Sequence, residues 1–68
     1  MIGAPGKALQ AVDIVCRVRL ARGMAPRTLA ERMQVQRAMA QWLMAAHHLE
    51  PLDALTTVAH TFARYFPH

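Results

Sequence analysis

Backbone breakers are scarce in this chain, and they fall in groups. Glycine and proline occur only within Gly3-Ala4-Pro5-Gly6, at Gly23 and Pro26, at Pro51 and at Pro67. Weaker breaks fall around Gln34 and around His47 to Pro51. The chain as a whole carries thirteen alanines and five methionines, with few β-branched residues, a mixture that favours helix throughout. The punctuation predicts an all-α chain of one domain, 1–68. Residues 1–6 would be a flexible N-terminus, and helices would cover 7–22, 26–33, 36–46 and 51–65.

The apolar spacing supports that division. In the first segment Leu9, Val12, Cys16 and Leu20 recur at three- and four-residue steps, with Val15 and Arg19 beside them. Gly23 stands where a helix end needs a left-handed residue. Proline at position 26 suits the first turn of a second helix, because its missing N–H would be unpaired there anyway. In the last segment Leu52, Leu55, Val58, Ala59 and Phe62 make a helical stripe, opened by Pro51 and Asp53. Leu29 and Leu55 are expected in one core.

Sixty-eight residues bury only about 60% of their unfolded surface, so one core is all they can build. The 54% apolar fraction argues against disorder. Cys16 is alone, which excludes an internal disulfide and a cysteine-based zinc site and fits a reducing cytoplasm. Asp13, Arg17 and Arg19 interrupt the first apolar stretch, so it does not read as a secretory leader. The longest run free of charged residues, 38–49, falls short of the roughly 20 residues a membrane span needs. The net charge is +4, and seven of the eight basic residues are arginine. Arginine's planar fork suits phosphate and guanine, so composition points toward an anionic partner such as nucleic acid.

Several residues in order then resemble a known family. Arg19-Leu20-Ala21-Arg22-Gly23-Met24, followed by Leu29-Ala30-Glu31-Arg32-Met33 and Val35, resembles the phage Cro/CI-type, or XRE-type, helix-turn-helix. The stripe from Leu52 to Phe62 is similar to that family's later helix. The resemblance covers Val15 to Phe62 and implies a compact, lambda-repressor-like domain of four to five helices containing a helix-turn-helix. It further implies a dimeric repressor that binds double-stranded DNA with its third helix in the major groove. Gln36, Arg37, Ala38 and Gln41 would then be the base-reading positions, and Arg27, Arg32, His47 and His48 the phosphate contacts. The aromatic tail, Phe62, Tyr65 and Phe66, would form the homodimer interface.

Three positions depart from the family pattern. The joint between second and third helices carries Gln34 where glycine is usual, and a left-handed non-glycine residue costs on the order of 1 kcal/mol. Pro26 replaces a frequent glutamine. The third segment is largely apolar, with Met39, Trp42 and Met44. These favour a second reading: a helix-turn-helix scaffold used as a protein-binding inhibitor or adaptor against a host protein. Met39 and Trp42 would be its binding face if exposed, since tryptophan and methionine are enriched at interfaces. Helical spacing from Val35 and Met39 also admits Trp42 into the core with Leu43 and Ala46.

Catalysis is not expected. There is no glycine-rich phosphate loop, acid pair or Ser-His-Asp set, and Cys16 lies on a core stripe with no activating histidine nearby. Neither cofactor nor metal is expected, because the adjacent His47 and His48 point apart and lack partner ligands. His60 lies beside the core stripe of the last helix and reads as packing or solvent-facing. Lys7 and Arg64 are further candidates for phosphate contact.

Overall fold

The computed structural model describes residues 4–67. These form three helices: α1 (Ala4–Ala21), α2 (Leu29–Ala46) and α3 (Pro51–Tyr65). Every regular element among the described residues is helical. The helix count therefore corrects the expected four to five.

The main correction is at Gln34. Residues 29–46 are one unbroken helix in place of the expected 26–33 and 36–46, and no turn forms at Gln34, so the expected helix-turn-helix is absent. The stretch from Leu29 to Ala46 contains neither glycine nor proline, and its residues are good helix formers. Nothing in it stops propagation once it has begun. Its start is set by Thr28 rather than Pro26. The Thr28 hydroxyl accepts the Glu31 N–H at 3.0 Å, and the Glu31 carboxylate accepts the Arg27 N–H at 2.8 Å. This reciprocal cap satisfies two otherwise unpaired donors.

The start of α1 is also earlier than expected. Residues 4–6, expected to be flexible, are helical, and Pro5 and Gly6 sit in the first turn, where neither breaks a hydrogen bond. The rest of that expected tail, residues 1–3, lies outside the described residues. At the other end Gly23 has φ +70°, and the Met24 and Gly23 N–H groups bond back to Arg19 and Leu20 at 2.7 and 3.1 Å. This is the hydrogen-bond pattern of a Schellman stop.

The end of α2 uses a left-handed residue as well, but a histidine. His48 has φ +58°, the one non-glycine left-handed residue among those described. The His47 N–H bonds to the Leu43 carbonyl at 2.9 Å, which closes the last turn. Replacing His48 by glycine is expected to relieve the left-handed strain and raise stability, by up to about 1 kcal/mol after the added freedom of the unfolded chain is subtracted. A thermal melt checks it, and a lowered midpoint would show that the imidazole itself holds the loop.

Helix α3 is the centre of the fold. It packs along both α1 and α2, which barely touch each other. Ala8, Val12 and Cys16 from α1, Met39, Ala40 and Leu43 from α2, and Ala54, Val58 and Phe62 from α3 form one core, closed by Leu49 and Phe66. Thr61 is buried with them and donates its hydroxyl to the Thr57 carbonyl, so its burial leaves no unpaired group. The expected stripes hold in part: Val12 and Cys16, and Val58 and Phe62, are buried, whereas the leucines of the stripes are not. Leu29 is 73% exposed, Leu52 74% and Leu55 52%, and Leu9 and Leu20 are also largely outside. Small residues take the contacts instead, because Ala8, Ala40 and Ala54 let three helices approach closely.

A polar tie joins α1 to the end of α3. The Tyr65 hydroxyl donates to the Asp13 carboxylate at 2.5 Å, and Arg17 reaches the same carboxylate at 3.1 Å. The hydrogen bond to Asp13 is the main cause holding the Tyr65 phenol above its usual 10; partial burial and the negative charge of Asp13 add to it, opposed by Arg17 and Arg64. The fold thus favours the protonated phenol. The stabilisation is fully present below the unfolded value and is lost as pH rises through the folded one. With a single tyrosine in the chain, phenolate absorbance reads this site alone. The folded protein is expected to titrate at higher pH than the denatured chain, and Asp13→Asn to close most of the gap. Coincident folded and denatured curves would show that the tie does not persist in solution.

Candidate functional site

Because α1 and α2 are held apart by α3, the outer edge between them stays open. It forms a groove of about 490 Å³ lined by Val15 and Arg19 from α1 and by Val35, Ala38, Met39 and Trp42 from α2, with Gln34 at its lip. The lining is mostly apolar. The spacing explains it: Val35, Ala38, Met39 and Trp42 lie at steps of three, one and three, which covers one flank of a helix. Val15 and Arg19 are four apart and share a face of α1.

Trp42 is the most prominent feature of the groove. It is 41% exposed, and its ring meets the His47 ring edge-on, with centroids 5.5 Å apart and planes at 89°. Met39, only 7% exposed, forms part of the floor and continues into the core. The two residues singled out as a protein-binding face are therefore adjacent in one groove, one as wall and one as floor.

Among the described residues, Arg19 is the only charged one lining the groove. Its Nε is buried and finds no acceptor among the described residues. A guanidinium N–H left without a partner is costly, because it has lost water and gained nothing in return. Neither Arg19 nor Val15 was among the site residues read from sequence. The signal was present in their position beside the α1 stripe.

The expected base-reading residues all lie on α2 but differ in exposure and facing. Arg37 and Gln41, four apart, share the outward face of α2 and are exposed. Gln36 is half-buried, and Ala38 opens into the groove. The four do not present one surface. Among the phosphate candidates, Arg27 and His48 are exposed, whereas His47 is half-buried against Trp42. Arg32 is half-buried and donates from Nη1 to the Phe66 carbonyl at 2.5 Å, so it ties α2 to the chain beyond α3 rather than standing free for phosphate. Lys7 and Arg64 are exposed, as is His60.

The expected dimer interface is corrected too. Phe62 and Phe66 are buried in the core of one chain, with rings 5.2 Å apart in a T-shaped contact, and Tyr65 is occupied by Asp13. A small three-helix core needs these aromatics for itself. Cys16 is fully buried. Burial first, then the nearby Asp13 charge, pushes its thiol up to about 11 against the opposing pull of Arg19. It carries little thiolate at neutral pH, which suits a packing residue and not a nucleophile.

Among the described residues, no three of His, Cys, Asp or Glu gather in a way that would hold a metal ion. No helix among them is long and apolar enough to cross a membrane. The chain matches no protein-family model, and neither a curated protein nor a solved structure matches it.

Proposed function

We propose that this chain is a small helical binding module whose partner is a protein, and that the partner docks in the groove between α1 and α2. The observation that carries the reading is a half-exposed Trp42 standing over Met39 in an apolar groove. Half-exposed tryptophans at the centre of apolar clefts are the type of residue that dominates binding energy at interfaces. Val18, three residues from Val15 on α1, and Met24 beyond it are also exposed. This accords with an inhibitor or adaptor acting on a host protein in the cytoplasm. The reading assigns no catalysis and requires no cofactor.

One observation favours a second reading, a DNA-binding transcriptional regulator: Arg37 and Gln41 lie together on the outward face of a basic chain. Both reach solvent, and both are side chains able to read base edges. The reading would use the exposed flank of α2 directly, possible for a continuous helix laid in a major groove, with a homodimer spanning two half-sites.

The two are separated by variants on opposite flanks of α2. Ala38→Glu places a charge inside the groove at an exposed helical position. Arg37→Ala alters only the outer face. The measurement is recovery of bound partners from nuclease-treated host lysate, paired with anisotropy on random-sequence duplex DNA at two salt concentrations. A protein partner lost with Ala38→Glu and kept with Arg37→Ala supports docking in the groove. Salt-dependent duplex binding that loses its sequence selectivity with Arg37→Ala, together with no protein recovered, transfers the choice to the regulator.

A further inference from the structure

We infer that the occupant of the α1–α2 groove is an amphipathic helix bearing a carboxylate, and that Arg19 is the residue that pairs with it; this rests on the protein-binding reading above. The groove is apolar on both walls, which suits the large side chains of an amphipathic helix spaced at three and four residues. Its one charged lining group is a guanidinium whose buried Nε has no acceptor. A carboxylate supplied by the occupant would pair with the Arg19 guanidinium where it lines the groove, the buried Nε itself being closed to an outside oxygen, and would match arginine's preference for carboxylates.

Charge decides against the other occupants. A second copy of this chain would bring another net +4 and another Arg19 into the same seam, without an acid on the lining to receive them. The chain's acidic groups lie off the lining: Asp13 is engaged by Tyr65 and Arg17, Glu31 closes the cap of α2, and Glu50 and Asp53 stand exposed at the start of α3. Arg22, three residues past Arg19 and just beyond the end of α1, is exposed as well. An acidic helix is therefore attracted to this groove over the distance of a Debye length, and a basic one is repelled.

The probe is a synthetic peptide of about five helical turns with leucines at three- and four-residue spacing and glutamates flanking them. It is compared with the same peptide carrying glutamine, and again lysine, in place of glutamate. Binding is read from Trp42 fluorescence, the only tryptophan in the chain. The glutamate peptide is expected to bind at least about tenfold more tightly than the glutamine peptide, and the lysine peptide to bind worst. Arg19→Met is expected to abolish the difference between glutamate and glutamine peptides. Gln34→Glu, at the exposed lip, leaves the core untouched and is expected to weaken the glutamate peptide alone.

Equal affinity for glutamate and glutamine peptides, or a difference that survives Arg19→Met, overturns the carboxylate inference and leaves the docking groove standing. No fluorescence response to any of the three peptides overturns the docking groove itself. Concentration-dependent dimerisation that buries Trp42, seen by sedimentation, overturns the choice of occupant.

Discussion

Phe62→Ala is expected to leave the chain mostly unfolded at ordinary temperature. Phe62 is fully buried on the one helix that packs along both others, and its ring is held edge-on by Phe66. Truncating a buried phenylalanine costs about 3–5 kcal/mol, from lost transfer energy and from the cavity left behind. A domain of this length has roughly 3–10 kcal/mol of stability in total, so the loss takes most or all of it. Leu55→Ala provides the contrast. Leu55 lies seven residues earlier on the same helix but is half-exposed, and its truncation is expected to cost less than about 1 kcal/mol. Urea melts of the two variants followed by circular dichroism make the comparison. If Leu55→Ala loses as much as Phe62→Ala, α3 is rotated from the orientation described.

Gln34→Pro is expected to cost about 3 kcal/mol or more, because it removes a helical N–H and sets the ring against the carbonyl one turn back. Position 34 is in the sixth residue of an eighteen-residue helix, well past the turn where proline is tolerated. Gln34→Gly is expected to cost about 0.5–1 kcal/mol for a different reason, the greater backbone freedom glycine loses in an exposed helix interior. A left-handed joint at this position would reverse the glycine result, making that variant neutral or more stable. The pair of variants therefore measures the continuity of α2 directly. A Gln34→Gly protein with a raised urea midpoint would restore the two-helix arrangement.

The all-helical character of the chain was legible in its alanine and methionine content and in the confinement of its breakers. The error at Gln34 has a specific origin. No residue between Leu29 and Ala46 opposes helix, so the joint came from a spacing pattern shared with a family and not from local chemistry. The stronger signal, Thr28 followed three residues later by Glu31, is a capping pair that starts a helix at Leu29. It competed with Pro26, whose fitness for a first turn does not oblige a turn to follow.

The core was harder to read because it is built on small residues. Leucine stripes at Leu29, Leu52 and Leu55 mark where apolar side chains lie, but close helix approach is governed by where they are absent. Ala8, Ala40 and Ala54 mark the contact lines, and alanine carries too little hydropathy to stand out in a periodicity count. The groove was half legible. Met39 and Trp42 were evident as residue types, whereas Val15 and Arg19 became part of a site only once α3 had set the spacing between α1 and α2. The buried Nε of Arg19 depends on packing across two helices, which no spacing within one segment encodes.

The central position of α3 also bears on how the chain comes to fold during synthesis. Helix α3 is the last of the three to leave the ribosome, and the first two have almost no surface in common. Val12 and Cys16, and Met39 and Leu43, therefore lack their α3 neighbours until that helix has emerged. The Phe66 carbonyl that receives Arg32 and the Tyr65 hydroxyl that seeks Asp13 emerge later still. Such a polypeptide cannot build its structure stepwise from the amino end, as longer proteins do domain by domain. It must wait, largely unfolded and open to chaperones and proteases, until residues 62–66 clear the exit tunnel, and then acquire its core in one cooperative event.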